Sequence, residues 1–378
     1  MSVAIEARDN GTIARTAVDS VRRRRILARF LTQQATQNQL QRLSIRTGRL
    51  LCRPTAIYVA LTSRCDAHCA MCDMWKREPI EELSTETWTD ALLALRNWLG
   101  PYHVNFNGGE AYLRGDFVEL LRFCADNDIL AGFITNAFHM SRDVARETVR
   151  AEPFNISISL DGIQPRTHDA LRGHRGAYEK VMEGLEHITE FKNAYQTRSR
   201  VIIKSTVMRQ NVAELPSLAR WVEQRGDLAI YFQPVIPLWS KGARRQFGLD
   251  VAVLDEVVEE LIAMKRAGAP ILNAIGTLKL FKPYFRDENL AEIGRDVCYV
   301  GVKNMFFHPD GGAYLCEHAF GDVGNIRDDS PETIWKSARA AEVRTKTVAC
   351  QRPCLQTCIV KRSLTDNFDL FRNLLLRA

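Results

Sequence analysis

Cys65, Cys69 and Cys72 stand in the spacing C-x-x-x-C-x-x-C within LTSRCDAHCAMCDMW. Three thiolates on one tight loop can hold three irons of a [4Fe–4S] cube and leave the fourth iron open to another ligand. A cube held by four cysteines passes electrons but offers no free iron for chemistry. A zinc loop is the competing metal reading, because cysteines at short spacing also bind zinc. Farther along, Asn107-Gly108-Gly109-Glu110 joins two residues without Cβ to a carboxylate. The glycines let backbone approach a ligand closely, and Glu110 can accept a hydrogen bond from an ammonium group. Alone, this motif reads as a turn. After the cysteine loop it reads as a ligand cradle.

A second set of cysteines lies near the C-terminus: Cys298, Cys316, Cys350, Cys354 and Cys358. Between the first two runs a hairpin-like stretch, 302–308 and 313–315, around Pro309-Asp310-Gly311-Gly312, and Asp310-Gly311 is good hairpin-turn chemistry. Cys52 and Cys124 are expected to be ordinary buried thiols.

The elements that must position these groups are legible as an alternation. Strand candidates are 56–62, 103–107, 130–135, 155–160, 201–207 and 229–234. Helical stretches fall between them at 85–99, 117–127, 142–150, 177–191 and 212–225, the first with Ser84 as N-cap. Six strands alternating with helices predict an α/β fold with a parallel sheet. Thr135 and Asn136 end the third strand. Ser157, Ser159 and Asp161 occupy alternate positions at the end of the fourth and so share a face. Ser205, Thr206, Gln233 and Pro234 close the next two and are weaker candidates. Before the alternation, residues 1–50 read as a polar start and a helix over 19–49. The Arg22–Arg25 run is expected to be a solvated helix face, with an acidic partner as the alternative. After it, 237–296 reads as a helical bridge, with helices over 251–266 and 271–281. Residues 297–360 form a cysteine-rich module with a helix over 330–340, and 361–378 a C-terminal helix.

The 378 residues are 46% hydrophobic, enough to fill a core, and carry a net charge of +6 that does not argue for nucleic acid. No apolar run reaches the length of a membrane span, and no secretory signal is present. Reduced cysteines fit a cytoplasmic setting.

The cysteine loop follows a strand-like run, the bulky Met71 precedes its third cysteine, and Gly-Gly-Glu comes one strand–helix–strand unit later. Together these resemble the radical S-adenosylmethionine (radical SAM) superfamily. The resemblance implies a partial (β/α)6 TIM-like barrel over 51–236, with its chemistry at the C-terminal strand ends. It implies that the open iron binds the amino and carboxylate groups of S-adenosylmethionine. An electron then cleaves the S–C bond, giving a 5′-deoxyadenosyl radical that takes hydrogen from a substrate. Met71 would pack near the adenine, and Gly108, Gly109 and Glu110 would hold the methionine amino group. Ribose and carboxylate contacts would come from Thr135, Asn136, Ser157, Ser159 and Asp161, with Ser205 and Gln233 as further contacts. Arg172, in HDALRG, resembles the arginine that pairs the methionine carboxylate in relatives, and its planar fork suits that task. A surface ion pair is the other reading.

The second cysteine set resembles the SPASM/Twitch extension of this superfamily, through C-x12-G-x4-C and the following Gly324-Asn325-Ile326. The full module carries more cysteines than the five here, which implies one auxiliary [4Fe–4S] cluster. Cys298, Cys316 and Cys358 are its expected ligands, with Cys354 rather than Cys350 as the fourth; zinc is the alternative occupant. Glu317, directly after Cys316, resembles a carboxylate that takes the substrate proton. The expected activity is a radical SAM oxidoreductase or modifying enzyme served by a flavodoxin or ferredoxin. Residues 1–50 look too short for a leader-binding domain, which favours a small-molecule natural product such as a sugar or aminocyclitol. The alternative is a peptide maturase that forms a cross-link or an oxidised side chain. Outside catalysis, an iron–sulfur electron-transfer protein or a zinc-stabilised binding module are the competing classes.

Overall fold

The computed structural model describes residues 10–236, 251–286, 297–350 and 354–355, with side chains from residue 21 onward. Cys358, the 361–378 helix and parts of the 237–296 bridge lie outside the described residues. Six strands, β1 (Ala56–Thr62), β2 (His103–Gly108), β3 (Leu130–Thr135), β4 (Asn155–Ser159), β5 (Arg200–Val207) and β6 (Leu228–Pro234), lie side by side in chain order, each parallel to the next. Helices connect them: α2 (Thr85–Leu99), α3 (Phe117–Asp126), α4 (Arg142–Arg150), α5 (Pro165–Arg172), α6 (Ala177–Tyr195) and α7 (Leu215–Arg225), after the N-terminal α1 (Asn10–Thr47). This is the expected partial (β/α)6 barrel. Local chemistry sets the helix limits. The Ser84 hydroxyl accepts from Thr87 N at 3.1 Å at the start of α2, and Gly100 ends it at φ +76°. Helix α5 starts at Pro165 and stops at Gly173, in the left-handed region at φ +61°.

The sheet does not end at β1. Strand β7 (Asn304–Phe307) pairs parallel with β1, and β8 (Gly312–Tyr314) and β9 (Gly324–Asn325) follow antiparallel. The full order is β6-β5-β4-β3-β2-β1-β7-β8-β9. The hairpin turn forms as its residues imply, with Gly311 at φ +88° and Asp310 Oδ1 accepting from Gly312 N at 3.0 Å. One apolar core runs from the barrel into the C-terminal helices, where the buried Trp335 donates to the Cys52 carbonyl at 3.1 Å.

Three local expectations change. Over 271–281 the chain first runs extended beside β6: Leu272 N donates to Ile230 O at 2.8 Å, and Asn273 bonds Phe232 N and O at 2.8 Å each. The Asn273 amide imitates a strand neighbour, and helix resumes only at Ile275–Lys279 and Phe281–Phe285. The helix over 330–340 is two helices, Pro331–Lys336 and Ala338–Val348. Ser337 is extended between them and caps the second through Ala340 N. Finally, α1 lies on the barrel with Leu27 buried, and Arg22 pairs with Asp128 at 2.7 Å, so part of the arginine run meets an acid of its own chain. Among the described residues no helix is long and apolar enough to cross a membrane.

Candidate active site

The inward faces of the strands enclose a cavity of about 670 Å³, bounded at the strand ends by the cysteine loop. Cys65, Cys69 and Cys72 line it, with Met71, Gly108, Gly109, Glu110, Thr135, Asn136, Ser157, Ser159, Arg172, Gln233 and Glu317. Strand alternation selects the members: Asn155, Ser157 and Ser159 of β4 share the inward face, as do Arg200, Ile202, Lys204 and Thr206 of β5.

The cysteine loop is held from three sides. Asp66, beside Cys65, accepts from Asn136 Nδ2 at 2.9 Å and contacts His139 Nε2 at 2.9 Å, which ties the loop to the end of β3. Ala70 N donates to Leu171 O at 2.9 Å, and a Cβ on Gly173 would lie 2.2 Å from His68 O, so the end of α5 packs directly under the loop. A Cβ on Gly109 would lie 2.0 Å from Arg64 O. Gly109 is therefore small because the backbone leading into the cysteine loop presses on it, and Gly108 because Ala60 and Thr62 of β1 do, a reason beyond approach to a ligand.

Glu110 is buried and accepts from Thr135 Oγ1 at 2.8 Å, Asn136 N at 2.8 Å and Tyr112 N at 3.3 Å. Burial outweighs these bonds and raises its carboxyl to about 7. Arg172 is buried, ion-paired to Asp161 at 2.7 Å, and its Nη1 lies 3.7 Å from Cys69 Sγ. Burial, the largest single influence, would lower its pKa, but the charges and hydrogen bonds of Asp161 and Cys69 together outweigh it and the net shift is upward.

Two expected contacts fall elsewhere. Asp161 does not line the cavity; it is fully buried, pairs with Arg172 and accepts from Thr206 N at 2.7 Å. The reason is that β4 ends at Ser159, so the alternation that would keep Asp161 on the inward face stops short of it. Ser205 is fully buried on the outward face of β5, where its parity puts it. The same parity brings Lys204 inward, a residue the sequence reading passed over and period-2 counting along β5 would have found.

In the C-terminal module, Cys298 and Cys354 are buried in one apolar cluster with Val300 and Phe306, and Cys316 packs against it. The nearby Cys350 charge acts on Cys316. Glu317 turns into the cavity, and burial lifts its carboxyl to about 7 against the opposing pull of Arg77. Gln233 Nε2 donates to Leu355 O at 3.0 Å, linking the mouth of β6 to the residue after Cys354.

Residues 59–222 match the family profile of the Radical SAM superfamily, and residues 298–359 match that of SPASM, an iron-sulfur cluster-binding domain. The chain belongs to the radical SAM superfamily. Mycofactocin maturase MftC of Mycolicibacterium smegmatis is 27% identical over 303 residues, 75% of this chain and 70% of its own length. The AdoMet-dependent heme synthase of Nitratidesulfovibrio vulgaris is 24% identical over 310 residues, 78% of this chain and 82% of its own. Among solved structures, Streptococcus suis SuiB bound to S-adenosylmethionine has a TM-score of 0.63 at 14% identity, covering 80% of this chain and 70% of that one. SuiB bound to its precursor peptide SuiA gives 0.62, also at 14% identity, over 81% and 70%.

This radical SAM enzyme uses S-adenosylmethionine and [4Fe–4S] clusters. Its residues suit them. Burial pushes the Cys65 thiol up to about 12 and raises Cys72 as well, so thiolates there call for a bound cation. Glu110 is a buried carboxyl whose ionised form an ammonium would stabilise. Among the described residues no three His, Cys, Asp or Glu side chains converge on a single metal ion. A cube asks for a wider set, because each cysteine binds a different iron.

Proposed function

We propose that this radical SAM enzyme modifies a peptide, removing hydrogen from a substrate carbon and a proton through Glu317. The observation that carries the reading is the shared cavity: Cys65, Cys69, Cys72 and Glu110 line one part of it, and Glu317, from the auxiliary module, lines another. The bound cluster and S-adenosylmethionine supply the hydrogen-abstracting radical. Cys65, Cys69 and Cys72 hold the reducing cluster, and Glu110 accepts the methionine ammonium. The Arg172 Nε is buried without a partner and is the donor left for the methionine carboxylate. Asp161 acts through Arg172 by orienting its guanidinium. Ser157 and Ser159 face the ribose side, with Thr135 and Asn136 supporting Glu110. Cys298, Cys316, Cys354 and Cys358 would hold one auxiliary [4Fe–4S] cluster, which would supply an acceptor for the second electron, and a flavodoxin or ferredoxin would supply the first.

The sequence alone favoured a small molecule. The likeness to mycofactocin maturase and the fold shared with SuiB, which binds a precursor peptide, support a peptide instead. The heme synthase, matched over more of its own length, keeps an iron porphyrin as the second reading.

The test is anaerobic turnover of the reconstituted enzyme with S-adenosylmethionine and a reductant. It is run with synthetic peptides encoded beside the gene and, separately, with an iron porphyrin. A peptide that loses a hydrogen pair in step with 5′-deoxyadenosine is the expected result. Glu317→Gln is expected to keep 5′-deoxyadenosine formation while slowing the peptide change by about 10²–10⁴-fold. Turnover with the porphyrin and none with the peptides overturns the reading.

A further inference from the structure

The cavity wall holds a cation that the roles above leave unused. Lys204 projects inward from β5, in register with Ser159 of β4 and Tyr231 of β6. Its Nζ lies 5.8 Å from the centre of the Tyr231 ring, and among the described residues this is the one partner its ammonium has. Other cations on the wall are engaged: Arg172 pairs with Asp161 at 2.7 Å, and Lys265 donates to Ile271 O at 2.7 Å. The wall's carboxylates do not reach Lys204. Glu110 is taken up by Thr135 and Asn136, and the charge that acts on Glu317 is that of Arg77.

An ammonium withdrawn from water without a counter-charge is costly unless a ligand supplies one. Burial lowers the Lys204 ammonium to about 8, which leaves it largely charged at neutral pH. The cavity wall is polar and suited to a ligand: Asn105, Asn107, Asn155 and Ser157 line it with Lys204, and Asn105 Oδ1 is buried without a partner.

The geometry points to Lys204 as a carboxylate subsite that selects an acidic peptide, pairing with an acidic side chain or the chain end of the substrate. The identity of the carrier rests on the peptide reading above; the subsite itself rests on the cavity alone. A carboxylate could also come from S-adenosylmethionine. That cosubstrate must sit at the cysteine loop, where Arg172 reaches Cys69, and among the described residues no hydrogen bond or ion pair joins Lys204 to the loop. The substrate is therefore the favoured source.

The test uses the reconstituted full chain saturated with S-adenosylmethionine, glutarate as the carboxylate probe and glutaramide as its neutral counterpart. Ligand-observed NMR titration reads binding of each probe. Wild type is expected to bind glutarate about ten-fold more tightly than glutaramide, Lys204→Met to abolish the preference and Lys204→Arg to retain it. Equal binding of the two probes by wild type overturns the subsite, a comparison that stands even where Lys204→Met fails to fold. A glutarate preference that survives in folded Lys204→Met overturns it as well. Equilibrium dialysis of S-adenosylmethionine separates the two sources. A loss of about ten-fold in Lys204→Met assigns the lysine to the cosubstrate and overturns the proposal. Failure of the peptide reading looks different: glutarate binding persists at Lys204 while no peptide loses hydrogen.

Discussion

At the scale of single residues, Glu110 shows how the fold prepares a group for its partner. Its three donors favour the carboxylate, yet burial holds its pKa at about 7 rather than 4.5. A raised acid pKa means that the unliganded protein loses stability as pH rises from about 4.5 to about 7. An ammonium ligand needs the ionised form, so affinity for S-adenosylmethionine is expected to be full above about pH 7 and to fall below it by up to ten-fold per pH unit. Glu110→Gln should bind weakly and lose this dependence; isothermal titration across pH 5.5–8, an experimental range of about two and a half units, checks both. The residue types in the two cysteine sets and in Gly-Gly-Glu were readable because chemistry and spacing identify them together. Asp161 was misplaced because a strand's parity holds only to the strand's end, and Ser205 because its parity within β5 is that of the outward face, where an error of one position reverses the side.

At the scale of elements, the cysteine loop depends on neighbours far from it in sequence. Arg114 is the hub beneath it. Its guanidinium bonds Asp116 at 2.6 and 2.9 Å, the Leu61 carbonyl at 3.3 Å and the Leu83 carbonyl at 3.0 Å, with a side chain 7% exposed. It thereby joins the end of β1 to the segment leading into α2. Arg114→Ala leaves a carboxylate and two carbonyls without their donor and is expected to cost about 3–5 kcal/mol, read by urea unfolding. Arg114→Lys should not restore it, since a single ammonium cannot span the fork. The six barrel strands were legible from apolar runs bounded by turn residues. Helix α5, whose end packs under the loop, was not: eight residues with three charges, Arg166, Asp169 and Arg172, and no side-chain N-cap carry little periodic signal. The extended stretch at Pro270–Asn273 was missed for a related reason, because its pairing is one short backbone bridge at Ile271 extended by the Asn273 side chain, too brief to show as a strand pattern.

At the scale of the whole molecule, the auxiliary module is part of the barrel's own sheet. Tyr58 of β1 stacks on Phe306 of β7 at 4.7 Å, and Trp335 lies 6.4 Å from Trp98 of α2. A chain ending at residue 296 would strip β1 of a neighbour and expose this apolar surface. It is expected to lose cooperative unfolding and the cluster at Cys65, Cys69 and Cys72, measured by calorimetry and by iron content. Sequence patterning located the module but not its attachment, since pairing partners separated by hundreds of residues leave no local trace. That attachment also orders events during synthesis. Strand β1 leaves the ribosome well before β7, which covers its outer edge and is made some 240 residues later. Through that interval the nascent chain carries an open, apolar strand edge beside three reactive thiols, so its yield in the cell depends on how well that edge is shielded until β7 is made.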